Sequence, residues 1–268
     1  MTDFPSSITP VVLTYNEEPN IVRCLERLHW ANRVIVVDSF STDTTQKICA
    51  RYANVTFLQR AFDDHTQQWN FGVDATETPW VLALDADYVL GTGFEIELQG
   101  LHGTETVSAY DATFRYLICG QPLRASLYPP RAVLFRKDRC RYIQDGHTQL
   151  LKIVGACARL TTPIDHDDRK SLTRWFASQD KYALLEADKL AVADPATLRP
   201  QDKLRRTLFA AIPATLIYTL IVKRTLFDGW RGWYYTLQRT IAEVMLALRL
   251  LEKRFSGQAD PSPPRPPY

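Results

Sequence analysis

In the first ninety residues, four short β-rich apolar runs alternate with segments of helical periodicity, and three of the runs end in a polar cluster. The runs are 9–14 (TPVVLT), 33–37 (RVIVV), 55–58 (VTFL) and 80–84 (WVLAL). Between them, Ile21, Leu25 and Leu28 share a helical face, Ser41, Thr42 and Asp43 offer caps for a helix over 45–52, and 66–75 reads as another helix. Strands alternating with helices predict a doubly wound, mostly parallel α/β sheet. Ligands of such sheets bind beyond the carboxyl ends of the strands. Here NEEPN follows the first run, DSFSTD the second and DAD the fourth, so the polar residues sit where a ligand belongs.

From 102 to 158 the runs become shorter and more β-like (ATFRYLI, AVLFRK, CRYI, TQLLKIV), with turns at CGQP, YPPR and QDG. That pattern predicts a mixed half-sheet building the other side of a cleft. Residues 171–193 place Leu172, Trp175, Phe176 and Leu184 at helical spacing, with Ser171 as N-cap. ADPATLRP reads as a linker, 205–254 as one or more helices, and SGQADPSPPRPPY as a Pro-rich tail that cannot pack a core. The expected divisions are a catalytic domain over 1–193, a basic helical region over 194–255 and a disordered tail over 256–268.

Composition sets outer bounds. Hydrophobic residues at 46% and charged residues at 23% exclude a disordered or collagen-like chain. A net charge of only +2 argues against a nucleic-acid coat, so no nucleic-acid partner is expected. The charge is unevenly spread, however: 199–254 holds eleven Lys and Arg against four Asp and Glu, leaving the rest acidic. The five cysteines (Cys24, Cys49, Cys119, Cys140, Cys157) have no Cys-x-x-Cys spacing; they read as core packing in a reducing compartment. The first residues carry Asp3 and no basic-then-apolar run, unlike a signal peptide. No stretch reaches the roughly 18–20 apolar residues of a spanning helix, and a cytoplasmic location is expected. The nearest approach, 208–222 (LFAAIPATLIYTLIV), is broken by a proline and framed by Arg205-Arg206 and Lys223-Arg224.

Chemistry begins with Asp85-Ala86-Asp87. Two carboxylates at one strand end repel each other unless a cation joins them, and a hard divalent ion with oxygen ligands would also bring phosphates. Asp-x-Asp is also a common solvated turn. Asp38, at the head of DSFSTD, reads either as an acceptor for a base N–H or ribose hydroxyl or as part of an ordinary capped turn. Tyr15 offers a ring to a base, and Glu17 an acceptor to a ribose, with capping again the plain alternative.

The ordered motifs TYNEE, VVDSFSTD, QQWN and LALDADY resemble the nucleotide-sugar-binding half of family 2 inverting glycosyltransferases of the GT-A fold. DSFSTD with Gln68 and Asn70 downstream is most similar to the lipopolysaccharide-core glucosyltransferase branch. The close resemblance covers about residues 8–90, and a looser one includes RYIQDGH (141–147) and IDHDDRK (164–170). It implies that Thr14, Tyr15, Glu17 and Asp38 hold the base and ribose, most often uridine, with Asn70, Asp85, Ala86 and Arg131 as further donor contacts. It implies that Asp87, with Asp85 and His166, binds Mg²⁺ or Mn²⁺ bridging the diphosphate. Two departures stand out: Phe40 and Thr44 replace glycines common in the family, and Trp69 replaces a basic residue.

A sugar hydroxyl needs a carboxylate to take its proton as the new bond forms. Asp145, in a turn of the acceptor half, is the candidate base, with Asp111 and Asp138 as rivals; its Asp-Gly pair also reads as a plain hairpin turn. His147 is a candidate acceptor contact. The apolar 208–222 segment and the aromatics at 230–235 beside basic residues predict a helical hairpin at the inner face of the cytoplasmic membrane, with packing on protein as the alternative. The expected activity is transfer of a sugar from a nucleotide-diphosphate donor, most simply a UDP-sugar, to a glycan or lipid-linked acceptor of cell-envelope or lipopolysaccharide synthesis. A non-catalytic membrane-bound scaffold and a sugar nucleotidyltransferase are the competing readings. The intact Asp-x-Asp disfavours the first, and the lack of a Gly-rich, Lys-bearing N-terminal loop disfavours the second.

Overall fold

The computed structural model describes residues 4–101, 106–145 and 148–256. Its contacts divide the chain into two compact units, Met1–Lys170 and Ser171–Tyr268.

The first unit is built on β1 (Ile8–Thr14), β2 (Val34–Asp38), β3 (Val55–Gln59) and β4 (Trp80–Asp85), parallel and adjacent in the order β4-β1-β2-β3. The intervening helices are α1 (Ile21–Leu25), α2 (Thr45–Cys49) and α3 (His65–Asp74). Side chains of β1, β2 and β4 are buried on both faces, which is why these strands read as continuous apolar runs. Val12, Val36, Leu82 and Leu84 pack with Ile21, Leu25 and Leu28. Val11, Ile35, Val37 and Val81 pack with Trp69 and Val73 of α3. Gly72 permits that approach, since a Cβ there would lie 2.5 Å from Val11 Cγ1.

Beyond β4 the chain makes β5 (Tyr88–Leu90), α4 (Phe94–Gly100), β6 (Val107–Ala112), β7 (Phe114–Ile118), β8 (Gln121–Pro122), β9 (Arg131–Arg136), β10 (Cys140–Asp145), β11 (Thr148–Ile153), β12 (Ala156–Arg159) and β13 (Ile164–His166). Antiparallel β9 extends the main sheet from β4, and β6 and β12 complete the seven strands. This is the expected mixed half. A second sheet runs β5-β13-β7-β8, and β10 with β11 forms a separate hairpin.

The second unit is helical: α5 (Leu172–Val192), α6 (Pro200–Arg206), α7 (Ala211–Ile217) and α8 (Trp230–Ser256). Ser171 caps α5 as expected, accepting from the Arg174 N–H at 3.3 Å. The α5 segment, grouped above with the catalytic domain, belongs to this second unit because Ala183, Ala187 and Leu190 pack with Leu246 and Leu250 of α8. No helix among the described residues is long and apolar enough to cross a membrane. All five cysteines are free; Cys24, Cys49 and Cys140 are buried, but Cys119 and Cys157 are exposed and do not pack the core.

Candidate active site

The tips of β1 and β2 are in register, Thr14 opposite Asp38, and their loops are tied together by side-chain hydrogen bonds. Thr14 Oγ1 donates to Asp38 Oδ1 at 2.9 Å, and the Ser41 N–H donates to Oδ2 at 2.8 Å. Ser41 Oγ and Gln59 Nε2 donate to the same carboxylate. Asp38 is fully buried and meets four protein donors. In this structure it therefore organises the turn, as the capping alternative has it, instead of presenting a bare acceptor. Across the loops, the Asn16 N–H donates to Ser41 Oγ at 2.7 Å, and Asn16 Oδ1 accepts from the Thr42 N–H at 2.7 Å. Asn16 and Phe40 both hold left-handed backbone, with φ of 54° and 59°. Phe40 thus adopts the conformation that a glycine would favour there. Thr44, the other departure, has an ordinary φ of −82°. Tyr15 is 54% exposed above these loops.

The third tip is chemically different. Asp85 ends β4, Ala86 and Asp87 form a two-residue turn, and Tyr88 opens β5 in the second sheet. The Asp-x-Asp is therefore a junction between sheets, not a solvated turn. His166 pairs with Tyr88 across β5 and β13, which brings its Nε2 to 3.2 Å from Asp87 Oδ2. Tyr88, Tyr116 and Tyr128 surround the imidazole edge-on, with centroids 5.4, 4.8 and 4.7 Å away. Asp87 Oδ1 and His166 Nδ1 are buried and have no hydrogen-bond partner. Such orphaned atoms are rare in folded proteins and call for a physical explanation.

The electrostatics follow from this packing. Burial and the neighbouring Asp87 charge push Asp85 above the usual carboxylate range, against the pull of Arg131. Burial would raise Asp87 as well, but His166 holds it below. Burial alone would lower His166; the Asp87 charge and hydrogen bond raise it overall. Glu17, nearly enclosed, is pushed up to about 7 by burial even though Lys170 Nζ lies 2.7 Å from its Oε1. Lys170 is raised in turn by Glu17 and Asp87, so it stays charged. Arg131 opens β9 with its guanidinium 4.6 Å from the Tyr128 ring centre.

Lys170 and Asn20 were not singled out by the sequence. Asn20 Nδ2 donates to Glu17 Oε2 at 2.8 Å and to Asp168 Oδ1 at 2.9 Å, and the Arg169 N–H donates to Asn20 Oδ1 at 2.8 Å. Asp167, buried, accepts from the Arg169 guanidinium and faces Arg23 at 3.4 Å. The 164–170 segment is therefore wired to the first loop. The one available signal was a Lys following an acidic cluster.

Other expectations are redirected. Asn70 is not aimed at the strand tips: its Nδ2 donates to Tyr142 O at 2.9 Å and its Oδ1 accepts from the Tyr142 N–H at 3.2 Å. Among the described residues β10 pairs only with β11, and Asn70 serves Tyr142 as a second strand would. Trp69 stacks on Tyr142 in the core, rings 5.5 Å apart. Asp138 forms a surface pair with Arg136. Asp145 is the last residue of β10, in register with Thr148; its side chain, Gly146 and His147 lie outside the described residues.

A metal fits this junction only with outside help. Among the described residues, no three Asp, Glu, His or Cys side chains converge as a ready ligand set. Asp87 with its free Oδ1 and the adjoining His166 Nε2 supply two donors of suitable type, leaving the rest to phosphate oxygens or water.

Residues 9–126 match the family model described as Glycosyl transferase family 2. Over 196 residues, 68% of this chain and 71% of the relative, the sequence is 22% identical to the lipopolysaccharide core biosynthesis glycosyltransferase LpsC of Rhizobium meliloti (strain 1021). Of solved structures, S. aureus TarS 1–349 in complex with UDP-GlcNAc shares the fold with a TM-score of 0.51 at 14% identity, covering 94% of this chain and 92% of that one. The match over 9–126 is thus to a glycosyl transferase family 2 domain, and the parallel β4-β1-β2-β3 core with the mixed strands beyond it has the GT-A fold.

Proposed function

We propose that the chain transfers a sugar from a nucleotide-diphosphate donor, a UDP-sugar, to a glycan or lipid-linked acceptor of cell-envelope synthesis, with inversion at the anomeric carbon. The observation that carries this reading is the Asp87–His166 pair at the tip of β4, whose Asp87 Oδ1 is buried without a partner beside the Lys170 cation. TarS bound to UDP-GlcNAc supports the donor class, and the LpsC relative supports a lipopolysaccharide-core acceptor.

Asp87 and His166, with Asp85 behind them, would hold Mg²⁺ or Mn²⁺; such an ion neutralises diphosphate charge and eases departure of the nucleoside diphosphate. An ion there and a proton would compete for the His166 nitrogen that faces Asp87. Lys170 and Arg131 add fixed positive charge for the phosphates. The exposed Tyr15 ring stacks on the base, and Thr14 and Asp38 keep the two nucleoside loops in place. Asp145 takes the acceptor hydroxyl's proton. Calorimetry of UDP with and without Mn²⁺ tests the reading: uptake that depends on Mn²⁺ is expected, and no uptake of UDP or GDP with Mn²⁺ present overturns it.

A further inference from the structure

The second unit carries an apolar surface that its own core does not use. Between α7 and α8 the chain passes through a π-helical turn (Tyr218–Val222) and a 3-10 turn (Thr225–Asp228). Ile221, Val222, Phe227 and Trp230 are 65%, 61%, 67% and 58% exposed, with Leu226 and Trp233 exposed beside them. Such a contiguous apolar patch marks an interaction surface. The far half of α8 behaves differently, burying Leu246, Ala247 and Leu250.

The patch cannot fold inward. Behind it, Thr225 Oγ1 donates to Thr219 O at 2.9 Å and meets Thr236 Oγ1 at 3.1 Å, all three threonines being buried. Gly232 packs so tightly that a Cβ would fall 1.7 Å from Thr225 O. The tip is thus locked from within, with its large side chains on the outside.

We infer that this tip enters the headgroup region of an anionic lipid bilayer. Three cations, Lys223, Arg224 and Arg231, sit among the apolar residues against the single acid Asp228. Lys223 Nζ lies 5.7 Å from the Tyr218 ring and the Arg231 guanidinium 5.1 Å from the Trp230 ring, the mixture of aromatic and cation found at water–lipid boundaries. A second copy of the chain is a poorer occupant, because a two-fold contact through this patch would bring the same cations together. The helix over 211–222 rises only about 18 Å, short of the roughly 30 Å hydrocarbon core, so the tip lies in one leaflet. This inference does not depend on the donor reading.

Vesicle co-sedimentation of the full chain tests it, with phosphatidylglycerol-containing and pure phosphatidylcholine vesicles. Binding to the anionic vesicles is expected, with a blue shift of tryptophan emission and loss in high salt. The double variant Phe227→Ser/Trp230→Ser should weaken binding at least tenfold. Lys223→Gln/Arg224→Gln, which leaves the apolar contacts intact, should weaken it roughly 25-fold at low salt, about fivefold for each cation. Circular dichroism and UDP calorimetry on the same variants report fold and donor site separately. Wild-type chain that stays in the supernatant with anionic vesicles overturns the inference. So does vesicle binding that neither variant changes, or a lipid-free dimer that the Phe227/Trp230 variant dissociates.

Discussion

The strand tips of the first unit fall into two kinds. At β1 and β2, every acceptor of Asp38 is met by protein donors, and the loops hold each other in place. At β4, Asp87 Oδ1 and His166 Nδ1 are buried and unmet, and the Asp85 carboxyl is held above its ordinary range. Glu17 reaches this environment from the loop after β1 and is raised as well, by its burial and by the Asp87 charge. The contrast separates scaffold from chemistry: satisfied buried groups stabilise, whereas unsatisfied and perturbed ones await a ligand. Two carboxylates that look alike in sequence should therefore fail in different ways.

Replacing Asp87 with Asn keeps the shape and removes the charge. Transfer activity should fall at least 10³-fold, about 4 kcal/mol of transition-state stabilisation, while Tm stays within about 2 °C of wild type by the 2–4 °C per kcal/mol that suits a chain this size. Asp38→Ala should do the reverse to stability. Losing the acceptor of buried Thr14 and of the half-buried Ser41 donors costs about 2–3 kcal/mol, a drop in Tm of roughly 8 °C by thermal denaturation. Equal Tm losses in the two variants would erase the distinction between the tips.

Glu17 sharpens the contrast through pH. Its carboxyl is raised from 4.5 to about 7, chiefly by burial, so the folded chain holds this proton more tightly than the unfolded one. Protonated Glu17 adds stability that is fully present below about pH 4.5 and drains away as pH rises through about 7. The difference approaches 3 kcal/mol when the group is ionised. Lys170 stays charged across that window, so it contributes only a constant offset. The Tm gap between wild type and Glu17→Gln should therefore move steadily in favour of the Gln variant from pH 4.5 to 7 and level off above. A gap independent of pH would mean that Glu17 is ionised throughout.

The same contrast explains what could be read from the chain alone. Of the parallel strands, β1, β2 and β4 were legible because burial on both faces leaves unbroken apolar runs, and their three polar tips because those runs stop abruptly. β5 and β13 were not, since three-residue strands carry no periodicity, and with them went the junction that makes Asp85-Ala86-Asp87 a bridge between sheets. Asn20 and Lys170 meet Glu17 from opposite ends of the first unit, and Asn20 meets Asp168 across 148 residues of sequence; local pattern cannot show such pairings. Asn70 and Trp69 sit in a motif that reads as nucleotide contact, yet they hold β10, which among the described residues pairs only with β11.

The smallest effect is expected at Phe40, in the scaffold loop, and it tests whether that loop is set by its hydrogen bonds or by its backbone preferences. Phe40 holds φ at 59°, where a side chain costs about 1–2 kcal/mol relative to glycine. Phe40→Gly removes that strain but adds about 0.5–1 kcal/mol of backbone entropy to the unfolded chain, so the two nearly cancel. Tm should change by less than about 3 °C. Phe40→Val, whose branched Cβ suits this region worse still, should lose about 1 kcal/mol more. If Val were tolerated as well as Gly, the turn would have left the left-handed region, and the Ser41–Asp38 bonds that depend on it would be weaker than the structure gives them.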